Sequence, residues 1–352
     1  MQMFFRDSTD FPENYGYLNA RLRAHFSDFL GEDDYRKLAG KSLQGIELFL
    51  LETRYGKSFR KGLVEQPLSS HGRIERALAD TSAEVMNHTR NMAMGEPEDL
   101  MRVLLARADL HNCRLLLRFF FTGAISGGAP LWHGYGTLPV SFFERLWKSR
   151  SITHVIDKCL AFPHPMSRSL GKACSELQKG SPLPVSERVL LVEIVDFFRQ
   201  IIEKHRTKNG DVVREFLGRT IDIWNINIWS RAISGTMKIE KAKGLYISGG
   251  RFLAADKLEN SSGPEELFRS TPWESMLSGS RGRSVGFVVS RATRIFWNWQ
   301  MSLRRVDPLG IEVAVAFIAC QLVEWHNLNA LVVGIDMGLS VESIMDKMIL
   351  QG

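Results

Sequence analysis

The chain has 352 residues, 44% hydrophobic and 24% charged, with a formal net charge of +6. That balance is ordinary for a globular protein and excludes a disordered or collagen-like chain, while the length exceeds the ~250–300 residues at which one hydrophobic core stops growing, so two or three sub-structures are expected. The charge is too small at this length to demand nucleic acid, and suits an acidic protein surface or an anionic membrane face equally well.

Residues 1–14 are short and mixed and do not read as a secretory leader. Beyond them, apolar periodicity predicts helices at 17–30, 32–39, 42–54, 73–94, 97–122, 139–148, 151–160, 184–205, 211–234, 264–270, 284–304, 308–333 and 340–349. Strand-like alternation is nearly absent. The exception is Gly244-Leu-Tyr-Ile-Ser-Gly-Gly250, a short extended link bounded by glycines. The longest apolar run near the end, 313–320, falls well short of the ~20 residues a bilayer needs, so no membrane span is expected.

Four cysteines, Cys113, Cys159, Cys174 and Cys320, form no C-x-x-C pair. This argues against a zinc ribbon or thioredoxin-type site and for a reduced intracellular chain. The nine histidines form no H-x-x-x-H, and the glycine clusters at 123–128, 134–136, 244–250 and 279–282 match neither a Walker loop nor a dinucleotide fingerprint. No G-x-S-x-G elbow occurs. No catalytic residue, cofactor or metal is expected.

Three predicted helices are long, about 35–40 Å at 1.5 Å per residue. The first opens with Pro97, Glu98 and Asp99 and ends at Gly123; the second starts after Asn209-Gly210-Asp211 and ends at Gly235. The third is read with Asp307 as N-cap, Pro308 as its first residue and Gly334 as its stop. Each carries one small pattern: Asp109-Leu-His-Asn112, Asp222-Ile-Trp-Asn225 and Glu324-Trp-His-Asn327. Aligned on the acid, Leu110, Cys113, Leu116 and Phe120 correspond to Ile223, Ile226, Trp229 and Ile233, and to Trp325, Leu328, Leu331 and Ile335, one helical face in each copy.

Upstream pieces repeat as well. Asp34-Tyr-Arg-Lys-Leu38, Phe142-Phe-Glu-Arg-Leu146 and the stretch from Phe252-Leu253 to Leu258 precede the acid by 71, 76 and 66 residues. Each is followed by a helix opened by Ser42, Ser151 or Ser262. The reading is three diverged copies, 1–128, 129–240 and 241–352, giving an all-α, pseudo-threefold body; a period of about 100 residues is too long for an ordinary solenoid.

Because i and i+3 share a helix face, acid and Asn invite two readings. Either the three acids, with His111 and His326, converge on an axial metal or catalytic site, or each pair bonds neighbouring helices or loop backbone and fixes register. The second is preferred, since each helix supplies one acid and at most one His, whereas metals need several ligands close together. The stretch 281–305 is the candidate partner surface: Arg281, Arg283, Arg291, Arg294, Arg304 and Arg305 without an acid, interleaved with Phe296, Trp297 and Trp299. Val288, Ile295 and Trp299 are expected to face the core. A basic helical nucleic-acid-binding protein using this stretch is the alternative.

The opening Tyr15-Gly-Tyr-Leu-Asn-Ala-Arg21 resembles the start of the C subunit of the V/A-type rotary ATPases, called the d subunit in the eukaryotic enzyme. The C-terminal run Glu312, Phe317, Glu324, Asn327 and Leu328 is similar to that family's signature, and Asp109-x-x-Asn112, Asp222-x-x-Asn225 and Asp196-Phe-Phe198 after Glu193 extend the likeness from about Tyr15 to Leu350. Asn329 stands where the family often has Arg, and the proline near the glutamate is displaced to Pro308. The resemblance implies a funnel-shaped, non-catalytic rotor subunit, monomeric in isolation and one copy per complex. It would cap the membrane proteolipid ring, receive the central shaft and carry torque for proton or sodium transport. It implies a cytoplasmic location, peripheral on a membrane, and no nucleic-acid partner.

Overall fold

The computed structural model describes residues 13–65, 69–123, 130–260, 263–277 and 284–350, and among them every regular element is a helix. In chain order these are α1 (Tyr15–Ala24), α2 (Glu32–Ala39), α3 (Leu43–Leu51), α4 (Gly56–Glu65), α5 (Ser70–Met92), α6 (Glu96–Leu105), α7 (Arg107–Thr122), α8 (Val140–Ser149) and α9 (Ile152–Ala161). There follow α10 (Pro165–Gln178), α11 (Leu183–Lys204), α12 (Lys208–Ile233), α13 (Ile239–Lys243), α14 (Ala255–Asn260), α15 (Pro264–Phe268), α16 (Val285–Ser302), α17 (Glu312–Asp336) and α18 (Val341–Met345). Ser262, residues 124–128 and residues 279–282, singled out above, lie outside the described residues.

The caps explain many boundaries. Ser42, Ser69, Ser151 and Thr207 each accept a backbone N–H three residues on, at the first turns of α3, α5, α9 and α12. Gly123, Gly235 and Gly338 adopt φ of 69°, 73° and 68° just past α7, α12 and α17, the left-handed conformation that ends helices.

Several boundaries differ from expectation. The helix expected over 97–122 is two, α6 and α7, parted at Ala106. Asp307 and Pro308 do not open α17 but form the turn before it. Asp307 Oδ1 accepts the Leu309 N–H at 2.9 Å, and the Pro308 and Gly310 carbonyls accept from Asn19 Nδ2 at 3.1 and 2.9 Å. The helix starts at Glu312 and runs past Gly334. Helices α4, α10, α13 and α14 were not expected. α10 carries Ser and Gly, poor helix formers in isolation, but Met166, Leu170, Ala173, Cys174 and Leu177 form a buried stripe. Gly171 admits its neighbour closely: a Cβ there would sit 3.1 Å from both Cys159 Cβ and Leu160 Cδ2 of α9.

The chain forms two compact units, each with its own packing. Of the described residues, the middle unit takes those within 109–130 and 137–296; the terminal unit takes those within 13–108, 131–136 and 297–350. In the middle unit α10 packs on α9 and α11, and α11 on α12. In the terminal unit α17 packs against α1, α2, α3, α5, α6 and α18. Every residue from 312 to 325 is buried, so α17 is apolar nearly all round, as a central core helix should be. All four cysteines are buried free thiols. No described helix is long and apolar enough to cross a membrane.

Candidate functional site

Asp222 lies on α12, fully buried. Its carboxylate accepts the Phe252 N–H at 3.1 Å, the Leu253 N–H at 3.1 Å and the Trp273 Nε1–H at 3.1 Å. The loop passes this close because Gly250 has no side chain: a Cβ there would lie 2.3 Å from Asp222 Oδ1. Burial raises the Asp222 pKa to about 6, against the opposing pull of Trp273, the two backbone donors and Arg219.

One turn on, Asn225 exchanges two bonds with Ile247. Its Nδ2 donates to the Ile247 carbonyl and its Oδ1 accepts the Ile247 N–H, both at 2.9 Å. Acid and amide thus pin the segment 247–253 against α12. Backbone groups there would otherwise be buried without partners.

Asp109 on α7 has the same arrangement. It accepts the Thr137 N–H at 2.7 Å, the Thr137 Oγ1–H at 2.6 Å and the Leu138 N–H at 3.0 Å. Asn112, its motif partner, is fully buried.

Glu324 on α17 completes the set in the terminal unit. It is 2% exposed and accepts the Leu30 N–H at 2.7 Å. It also accepts a short bond from the Tyr55 hydroxyl and forms a short ion pair with Arg54. The Arg54 guanidinium lies 4.7 Å from the Phe29 ring centre, and Phe29 and Phe26 pack on Phe317 at 5.4 and 5.6 Å. Burial, then the neighbouring Glu324, pushes the Tyr55 hydroxyl pKa well up, so the phenol stays a donor. Asn327 exchanges two bonds with Ile349, at 3.0 and 2.8 Å. Ile349 is 22 residues beyond its Asn, and so is Ile247.

The acids share a further feature. The leucines whose N–H groups they bind, Leu30, Leu138 and Leu253, each stand two residues ahead of a helix: α2, α8 and α14. On the repeated apolar face, Cys113, Leu116, Ile226, Trp229, Leu328 and Leu331 are all buried, whereas Ile233 is 56% exposed. The leucine donors and the cation at Glu324 were missed from sequence. Every residue other than proline has an N–H, so a donor leaves no mark, though a leucine eight residues ahead of both Leu38 and Leu146 was an available signal.

The arginine stretch runs across the boundary between the two units. It divides after Phe296: Arg291 and Arg294 belong to the middle unit, Arg304 and Arg305 to the terminal unit. Arg281 and Arg283 lie outside the described residues. Arg291 is half-buried, its Nη2 donating to the Ser275 carbonyl at 3.2 Å and its guanidinium 5.6 Å from the Phe287 ring. Arg294 and Arg305 are exposed and Arg304 is half-buried. The buried face of α16 runs through Val288, Ala292, Phe296 and Gln300; Ile295 and Trp299 are only half-buried. Among the described residues, no group of three or more His, Cys, Asp or Glu is placed to hold a metal ion.

The middle unit also contains a cavity of about 330 Å³ between α7, α11 and α12. It is lined by Arg114, Arg118, Glu187, Arg188, Trp224 and Arg231 among others. Apart from Trp224, which lies inside the Asp222–Asn225 pattern, sequence reasoning did not single out these residues.

The family model described as ATP synthase (C/AC39) subunit matches residues 18–347. The V-type ATP synthase C subunit of Thermus thermophilus is 26% identical over 325 residues, covering 90% of this chain and 92% of that protein. The A-type ATP synthase C subunit of Methanosarcina barkeri is 26% identical over 349 residues, covering 96% and 93%. That of Haloferax volcanii is 24% identical over 358 residues, covering 97% and 99%.

Proposed function

The chain belongs to the ATP synthase (C/AC39) subunit family, whose members are non-catalytic accessory subunits, and from that premise we propose that it is the central-stalk rotor subunit joining the shaft to the membrane proteolipid ring. The family match across residues 18–347 carries the reading. In this reading the protein does no chemistry on a substrate. It passes torque between nucleotide turnover in the head and proton or sodium movement in the membrane, peripheral on the cytoplasmic face.

A torque-bearing part must resist twisting, and the acid and Asn ties suit that task. Each acid holds the backbone entering a following helix, and buried, fully bonded polar groups fix one register between packed elements. We read the three copies, 1–128, 129–240 and 241–352, as a pseudo-threefold, funnel-shaped body. The order of the ties supports this. Asp109 binds the segment before α8, Asp222 the one before α14, and Glu324 the one before α2, early in the chain. That is the pattern of a closed cycle.

The test is affinity purification of the tagged chain from detergent-solubilised membranes of its own host. Shaft and ring subunits are expected in the eluate in fixed proportion, with one copy of this chain per complex. Recovery of the chain alone, or ATP hydrolysis by the purified monomer, overturns the reading.

A further inference from the structure

The cavity between α7, α11 and α12 of the middle unit has a composition that the rotor reading does not use. Four guanidinium groups line it, Arg114, Arg118, Arg188 and Arg231, against one carboxylate, Glu187. Glu187 Oε1 lies 3.4 Å from Arg118 Nε without a hydrogen bond, and the same carboxylate also acts on Arg114, so one negative charge faces four cations. The Nε atoms of Arg114 and Arg188 are buried without a hydrogen-bond partner. Burial pulls the Arg114 pKa below its usual value, only partly opposed by Glu187.

Buried guanidinium donors without acceptors are costly, and a cluster of like charges adds to the cost unless an anion joins them. The cavity's size fits a small ligand rather than a lone ion: pockets for such ligands run from about 300 to 1,000 Å³. Its walls match in kind. Leu191, Ile223 and Ile228 give an apolar side, Trp224 presents a ring 5.9 Å from the Arg114 guanidinium, and Asn227 adds an amide.

We propose that this cavity is a binding site for a phosphate-bearing organic ligand, with Arg114 and Arg188 gripping the phosphate and Trp224 flanking the body. A phosphate suits the site better than a carboxylate. It brings about two negative charges near pH 7 and three acceptor oxygens, which several planar guanidinium forks can share. The source is either a free phosphorylated compound or a lipid headgroup; both present the same group.

The experiment uses the full chain and two probes. Inorganic pyrophosphate is titrated by calorimetry, and vesicles of phosphatidylcholine with phosphatidic acid are tested by co-sedimentation. Three variants are compared: Arg188→Gln, Arg231→Gln on the exposed rim, and Arg76→Gln as a control that does not line the cavity, Arg76 being surface-paired with Asp80. Far-UV circular dichroism and thermal midpoints establish that each variant is folded.

Saturable binding of either probe is expected, weakened about tenfold by the loss of a charged hydrogen bond in Arg188→Gln and Arg231→Gln and unchanged in Arg76→Gln. Binding should also weaken below about pH 6, where a phosphate monoester takes up a proton. Pyrophosphate binding without vesicle binding identifies a free ligand; vesicle binding lost in the cavity variants identifies a headgroup. Absence of binding by both probes overturns the proposal, as do cavity variants that bind like the unaltered chain. Variants that change only the attachment of shaft subunits overturn it too, since the cations would then serve a protein partner. Failure of the co-purification test above leaves this experiment unaffected.

Discussion

Asp222 in the middle unit and Glu324 in the terminal unit occupy the same motif position, and each accepts the N–H of a leucine two residues ahead of a helix. Their remaining partners differ. Asp222 is met by neutral donors, two backbone N–H groups and the Trp273 indole. Glu324 is met by a cation, Arg54, as well as by Tyr55. A buried carboxylate with only neutral donors ends with its pKa raised to about 6. The two ties therefore have different weak points. One depends on proton occupancy, the other on keeping a buried charge matched.

The largest effect should come from stranding that charge. Glu324→Ala leaves the mostly buried Arg54 guanidinium without its carboxylate, and about 3–5 kcal/mol of stability should be lost in chemical denaturation. Adding Arg54→Met should recover part of it, because the stranded charge goes too. A single variant as stable as the unaltered chain would break the contrast. Asp222→Ala strands only neutral donors, so a smaller loss, about 2–4 kcal/mol, is expected in the same assay. A greater loss than for Glu324→Ala would reverse the ranking.

The amides sharpen the comparison, because there the two units agree. Asn225 and Asn327 make the same pair of backbone bonds, so Asn225→Ala and Asn327→Ala should each cost about 2 kcal/mol. Urea midpoints that differ widely would mean the two loops are not equivalent.

The smallest effect is in pH. The folded-state pKa of Asp222 lies above the ordinary aspartate value of 3.8, so folding favours the protonated carboxyl. That contribution is complete below pH 3.8 and is lost as pH rises through about 6. Acidifying from about pH 7 to 5 should stabilise the unaltered chain by about 1 kcal/mol relative to Asp222→Asn, which cannot titrate. A gap between the two proteins that stays constant with pH would remove the proton from the account.

Much of this was legible from residues alone. Spacing of three along a helix put Asp222 and Asn225 on one face, whatever the partner. Ser42 and Ser151 announced the helices they cap, since a hydroxyl next to free N–H groups acts locally. The helical content follows from apolar periodicity and the scarcity of strand-like alternation. The misses were of another kind. α10 is a poor helix by propensity and exists through its buried stripe on α9 and α11. The turn at Asp307 is set by Asn19, some 290 positions away in the sequence, drawing off the Pro308 and Gly310 carbonyls. Within the 281–305 stretch, Arg291 and Arg294 fall in one compact unit and Arg304 and Arg305 in the other, a division the linear string does not mark.

The sequence by itself determined which side chains would be polar on an apolar face, and how many times. The tertiary structure decided what each one holds. Arg54 reaches Glu324 across 270 residues of chain and Leu30 reaches it across 294, while Asp222 draws only neutral donors from nearby loops. Matching motif positions acquire different electrostatics because what a buried carboxylate faces depends on the donors and charges packed around it. Those neighbours are assembled by folding, not by spacing along the chain.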